Sequence, residues 1–334
     1  LLFYVSHNLE DLLILLTIKS IIVLVRCLGG HMKNLFKGLG ASIGYIFIYI
    51  VITILVVFAG TIAYGIIAGI SAFKTNYSFS SVFDSFNSYI SNSVMLFSFS
   101  AGLISLFIYW LIIKAGKRTV KERLDLMPVS FHSLWPIIPL GIFFNLFITN
   151  LLALLPIPEH LMQDYAESSG ALQGKVTPAM LLSVVLMAPV LEEVLFRGLV
   201  MKSLCRGMPL IPALILQAIA FGLLHGQIIW ICYATVLGIV LGIIKARYVS
   251  LYPCILFHLV FNGWSFVMPP IYGLLPHSNL VSIIFSFVSA LLIVLLGILI
   301  FKKTTRTKYF HYIESSEITL SAEKTEPQAI VDFE

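Results

Sequence analysis

Apolar residues in this chain fall in continuous runs of about 20, separated by short polar or basic stretches. They do not follow the 3.6-residue or two-residue spacing of a half-buried soluble helix or strand. At a rise of 1.5 Å per residue, a run of that length spans the hydrocarbon core of a bilayer as an α-helix. From residue 32 onward eight such spans are drawn: 42–70, 93–113, 136–155, 178–201, 210–226, 228–244, 249–268 and 280–301. A β-barrel would need shorter segments of alternating polarity, whereas helices satisfy their own backbone in lipid. The expected fold is therefore all-α, a polytopic membrane helix bundle of about eight transmembrane helices.

Composition agrees with the pattern. The 334 residues are 59% hydrophobic and 11% charged, against about 25% charged in soluble domains. The net charge of +5 acquires meaning once it is mapped onto the loops. Fifteen Lys and Arg residues, from Lys33 and Lys37 through Lys202, Arg206, Lys245 and Arg247 to Lys308, fall on one side of the eight spans, and only Lys74 and Lys175 fall on the other. Positively charged loops stay inside, so both termini are expected in the cytoplasm of a multi-pass cell-membrane protein. Its short loops are in bacterial style. The basic loops need no nucleic-acid partner to explain them, and no P-loop or dinucleotide-binding glycine pattern is present. Cys27, Cys205, Cys232 and Cys254 lie in or beside apolar segments without CxxC spacing. They read as small buried hydrophobes.

The chain divides into five parts by this reading. Residues 1–31 precede Met32, which opens a basic lead into the first span, Met-Lys-Asn-Leu-Phe-Lys. They are expected to be an upstream extension, with translation starting at Met32. Residues 32–177 hold the first three spans, 178–268 the chemistry, 269–301 the last span, and 302–334 a flexible cytoplasmic tail.

Five residues, Glu192, Glu193, Arg197, His225 and His258, are the only Asp, Glu, Lys, Arg or His within the spans. An ionisable side chain at bilayer depth costs about 2.5–3.5 kcal/mol on insertion scales, so such groups face a protein interior and serve a function. Glu193 and Arg197 are spaced i, i+4, the orientation that favours an intrahelical ion pair. Glu192, rotated about 100° from Glu193, stands outside that pair. Pro189 removes a backbone donor one turn earlier, and a kink is expected there. His258 and Asn262, again i, i+4, project from one face. Such polar groups are expensive against lipid, so the economical reading is one convergent site on three helices. A Glu–Arg clamp that only fastens helices is the plainer reading of Glu193 and Arg197.

Glu192-Glu193-x-x-x-Arg197, then Phe221-x-x-x-His225, then His258-x-x-x-Asn262 resemble the three signature motifs of the CPBP family, which comprises the CAAX prenyl endopeptidases and the bacteriocin-processing or Abi proteins. The flanks Ala188-Pro189 and Phe196-Arg197-Gly198 fit as well, and the likeness covers about 178–268. It implies an eight-helix intramembrane endopeptidase, which in eukaryotes cleaves after a prenylated cysteine.

The groups present suggest attack by water, with Glu192 as general base assisted by His225. His258 and Asn262 would donate hydrogen bonds to the developing oxyanion, and Glu193 with Arg197 would hold the helix. A zinc site with Glu192, His225 and His258 as ligands is the competing mechanism; the cofactor is thus none or zinc. The expected partners are the bilayer and a peptide or membrane-protein substrate, such as a bacteriocin or pheromone precursor. Two other classes are a non-catalytic bacteriocin-immunity or scaffold protein and a transporter with a midplane ion site. One tension remains. Along ideal helices Glu192 lies about 15 Å, and His225 about 24 Å, from the basic face.

Overall fold

A computed structural model of the protein describes residues 2–75, 79–116, 118–173, 176–274 and 278–304. Over 2–31 it describes the backbone path alone. The described residues are helical, with no strand among them. The long helices are α1 (Leu2–Thr75) and α2 (Phe79–Lys114). The short α3 (Val120–Leu124) and α4 (Phe131–Leu134) lead into α5 (Ile137–Leu154), followed by the polar α6 (Glu159–Gln173). The remainder is α7 (Pro178–Leu204), α8 (Leu210–Leu223), α9 (Ile228–Tyr248), α10 (Tyr252–Tyr272) and α11 (Asn279–Lys303). Helix α1 runs across the boundary drawn at Met32 without a break, and the expected tail lies outside the described residues from 305 onward.

Among the described residues, seven helices are long and apolar enough to cross a membrane, which makes this a multi-pass membrane protein. The eighth expected span, 210–226, is the exception. Its helix, Leu210–Leu223, has 14 residues, or about 21 Å against a hydrocarbon core of about 30 Å. The sequence run looked longer because Leu224 and Gly226, on either side of His225, are apolar or small, yet the three form a turn. The His225 amide donates to the Gly222 carbonyl, and Gly226 adopts φ +72°, open to glycine at little cost. The chain still reverses direction here, so the sorting of basic loops survives the shorter helix.

Glycines let α8 and α9 pair closely. A Cβ on Gly222 would sit 2.1 Å from the Thr235 hydroxyl oxygen, and one on Gly238 2.9 Å from the Ala218 Cα. The loop after Ser203 also runs further out than expected. Gly38 of α1 lies against Ser203, whereas Gly207 lies against Leu35, three residues and about 4.5 Å further along α1. Helix α8 therefore starts below the level of Lys202, which removes about half of the anticipated offset between Glu192 and His225.

The basic loops gather at one end of the bundle. Asp125, in the left-handed conformation that Asp tolerates better than most residues, accepts from Lys202 at 2.6 Å and from the fully buried Lys245 at 2.8 Å. Its carbonyl accepts from the Leu251 amide, the Ser250 hydroxyl donates to Met127, and Tyr248 donates to Ser133. Arg123 reaches Ser203, and a Thr119–Glu122 capping box starts α3. At the other end, α6 packs on the start of α9. The Tyr165 ring meets Trp230 edge-on at 6.2 Å, and burial there pushes the Tyr165 phenol above its ordinary range.

Candidate active site

Helix α7 carries the two glutamates on a short regular stretch, Ala188–Glu193, between two segments of wider π-type turn, Leu181–Met187 and Val194–Val200. Such turns are uncommon and cluster at functional sites. The first answers to Pro189. The Ala188 amide donates back to the Ser183 carbonyl, five residues earlier. The next carbonyl, Val184, would take its donor from residue 189, where proline has none. The Asn262 amide fills that gap, donating to the Val184 carbonyl at 2.9 Å. One consequence of Pro189 is thus met by a residue on another helix.

Glu193 is fully buried, as is Arg197. The expected pair forms at 2.9 Å. The guanidinium also donates to the Gly238 carbonyl at 3.1 Å and stacks over the Phe221 ring at 4.6 Å. Gln217 donates to the same carbonyl at 3.0 Å. The Glu193 Oε1 that holds Arg197 also meets His258 Nδ1 at 2.9 Å. Paired with an arginine, this oxygen is an acceptor, so His258 Nδ1 must donate. That leaves Nε2 facing Glu192, 3.7 Å from its Oε2, a separation suited to a bridging water or a modest approach rather than a direct hydrogen bond. His225 is oriented by the same logic. Its Nδ1 lies 2.9 Å from the Phe221 carbonyl, which can only accept, so its Nε2 is left free.

Glu192, His225, His258 and Asn262 line one cavity of about 360 Å³. Tyr49, Trp230, Tyr233, Ser98 and Ser265 share its wall. A smaller cavity of about 80 Å³ lies between Tyr49, Glu192, Phe221 and His225. Glu193 and Arg197 line neither; they stand behind the wall and hold it. All six residues singled out in the sequence are thus brought together, four on the cavity and two in its support. Cys254, one turn before His258, is fully buried with its thiol directed to the Leu241 carbonyl, away from the cavity.

Two neutral polar residues beside the site, unlike Asn262, lie in none of the three motifs. Gln217 and Asn145 were legible as carboxamides within apolar runs. Asn145, buried on α5, donates to the Phe261 carbonyl at 2.9 Å and to the Ser265 hydroxyl at 2.8 Å. Tyr49 carried no comparable signal, since tyrosine is common in membrane helices. Among the described residues, no three His, Cys, Asp or Glu side chains are grouped to hold a metal ion. Glu192, His225 and His258 are therefore not grouped here as the zinc triad considered from the sequence.

Residues 174–264, from the approach to α7 through most of α10, match the family model for type II CAAX prenyl endopeptidase Rce1-like proteins. This stretch is an Rce1-like domain of the CPBP/Abi family. The family implies a peptidase acting on a peptide substrate. No curated protein and no solved structure matches the chain.

Proposed function

We propose that this protein is an intramembrane endopeptidase that hydrolyses a peptide or a membrane-associated protein by attack of water activated by Glu192 and His225. The observation that carries the reading is the division of labour between adjacent carboxylates. Glu193 is tied off by Arg197 and His258 at 2.9 Å each, whereas Glu192 stays on the cavity wall with His258 Nε2 no closer than 3.7 Å. A water beside Glu192 gives its proton to the carboxylate as its oxygen attacks the scissile carbonyl. His225 Nε2 orients that water. His258, with Nδ1 donating to Glu193, turns Nε2 into the cavity; in the imidazolium form its Nε2–H hydrogen-bonds the oxyanion and keeps its proton. In that state Glu192, Glu193, Arg197 and His258 sum to zero charge, which limits the cost of burying them. The remaining amide hydrogen of Asn262 is a second donor. Collapse of the intermediate breaks the C–N bond, and the amine leaves with the proton held by Glu192. In this reading the end of the bundle that carries the basic loops faces the cytoplasm, as positively charged loops do.

The test compares membranes of cells expressing wild type and Glu192→Gln, with new peptide N-termini identified by mass spectrometry. Gln is close to isosteric but cannot take the proton. N-termini present in wild type and lost in the variant support the protease. Identical sets, with any immunity phenotype intact, would favour a non-catalytic scaffold.

A further inference from the structure

The cavity that holds Glu192 extends in one direction only. On α10 its lining runs from His258 through Phe261 and Asn262 to Ser265 and Phe266, and it includes nothing between Tyr252 and Phe257. Ser265 lies seven residues beyond His258, about 10 Å further from the basic loops. On α9 the lining is Trp230, Tyr233, Ala234 and Leu237, all in the half remote from Lys245. On α2 it is Met95 and Ser98, and Ser98 is 16 residues, about 24 Å, short of Lys114. On α7 it is Ser183 to Glu192, with no residue from Val194 to Leu204. Cross-helix contacts confirm a common depth. Ser183 donates to the Met95 carbonyl, and Gly102 lies against Met187.

The opposite end is closed. Asp125 ties the α2–α5 connection to Lys202 and Lys245, and the Leu251 amide, Ser250 and Tyr248 are bonded to that same connection. Between this knot and the glutamates lie Leu195, Phe196, Leu199, Leu241 and Phe257, each at most 1% exposed, and the small cavity beside Glu192 reaches Leu195 and Phe196 but none of the other three. Ser98 and Ser265, by contrast, are exposed polar residues in the halves of their spans remote from the basic loops. Helix α6 stands beside this end through Tyr165 and Trp230, itself a lining residue.

From this arrangement we infer that the peptide reaches Glu192 from the end of the bundle opposite the basic loops, passing Ser98 and Ser265 beside α6. With the basic loops in the cytoplasm, the substrate class is a peptide segment presented on the extracytoplasmic side, an exported peptide or the outer part of a membrane-anchored one. A cytoplasmic C-terminal tail meets the closed end. This rests on the endopeptidase reading for its meaning, but its test does not depend on cleavage.

Single cysteines at Ser98, Ser265 and Arg118 are introduced in a background with Cys27 and Cys232 replaced by alanine; Cys205 and Cys254 are buried and stay. Each variant is labelled with a membrane-impermeant maleimide in right-side-out and inside-out vesicles, with and without Glu192→Gln. Ser98→Cys and Ser265→Cys should label at least about tenfold faster in right-side-out vesicles, and Arg118→Cys in inside-out ones. The same pattern in the Glu192→Gln background keeps the route separate from the chemistry. Labelling of the cavity cysteines from the same side as Arg118→Cys, or from neither side, overturns the inference. Should the protease reading fail, the labelling still decides whether the cavity faces outward.

Discussion

The bond from Asn262 to Val184 has two readings, one structural and one catalytic, and a mutant cycle with Pro189 separates them. Asn262→Ala leaves the Val184 carbonyl without the donor that Pro189 cannot supply. An unpaired buried polar group costs about 1–3 kcal/mol. Val184 is half-buried, so the lower end, about 1 kcal/mol, is expected. Pro189→Ala restores a backbone N–H at the position from which a wide turn bonds residue 184. In that background Asn262→Ala should cost only a few tenths of a kcal/mol. The coupling, about 1 kcal/mol, is read from unfolding of the four proteins in mixed detergent micelles. Cleavage is measured in parallel. If the second amide hydrogen of Asn262 serves the oxyanion, the turnover loss of order 10²–10³-fold persists whether residue 189 is Pro or Ala. Additive stability losses, within about 0.3 kcal/mol, would refute the claim that Asn262 answers to Pro189. Full turnover by Asn262→Ala would remove it from the chemistry.

Three further outcomes are expected. His225→Ala and His258→Ala should abolish cleavage as Glu192→Gln does while the protein still inserts; substantial turnover by either variant would remove that imidazole from the mechanism. Arg197→Ala should destabilise by about 3–5 kcal/mol, because it strands a carboxylate at 0% exposure. The combination of Glu193→Gln with Arg197→Gln should recover part of that loss in detergent melts, and equal additive losses would show that the two do not act as a pair. Gly222→Val should cost at least about 1–3 kcal/mol through overpacking against Thr235 and Ile231 and should lower turnover by shifting the His225 turn; a variant with unchanged melting and activity would contradict the close α8–α9 approach.

Long apolar runs were legible because lipid imposes one rule, that each span hide its own backbone and expose apolar side chains. That rule locates seven spans well, but it does not see where a helix stops inside an apolar run. The turn at Leu224–Gly226 depends on a glycine conformation and on packing against α9, and neither alters hydropathy. The site residues stood out for the opposite reason, since Glu192, Arg197 and His258 violate the lipid rule. Their partners did not. Gln217 and Asn145 are neutral, and their roles arise only when Gly238 and Ser265 are brought alongside from distant parts of the chain. The Asn262–Val184 bond was the least legible, because it depends on a wide turn that Pro189 and the neighbouring helix create together.

Asp125 also sets an order of events during synthesis. Its two lysine partners lie 77 and 120 residues ahead of it in the chain. At about 5–20 residues per second, Lys245 leaves the ribosome roughly 6–24 s after Asp125. For that interval the loop after α2 has no fixed mate, and the early spans wait in the bilayer as separately inserted helices. The knot closes when Lys245 arrives, a few residues before the helix that brings His258. His258 is therefore inserted into a scaffold whose basic end has only just been fastened, and the cavity is completed after the protein has become one body.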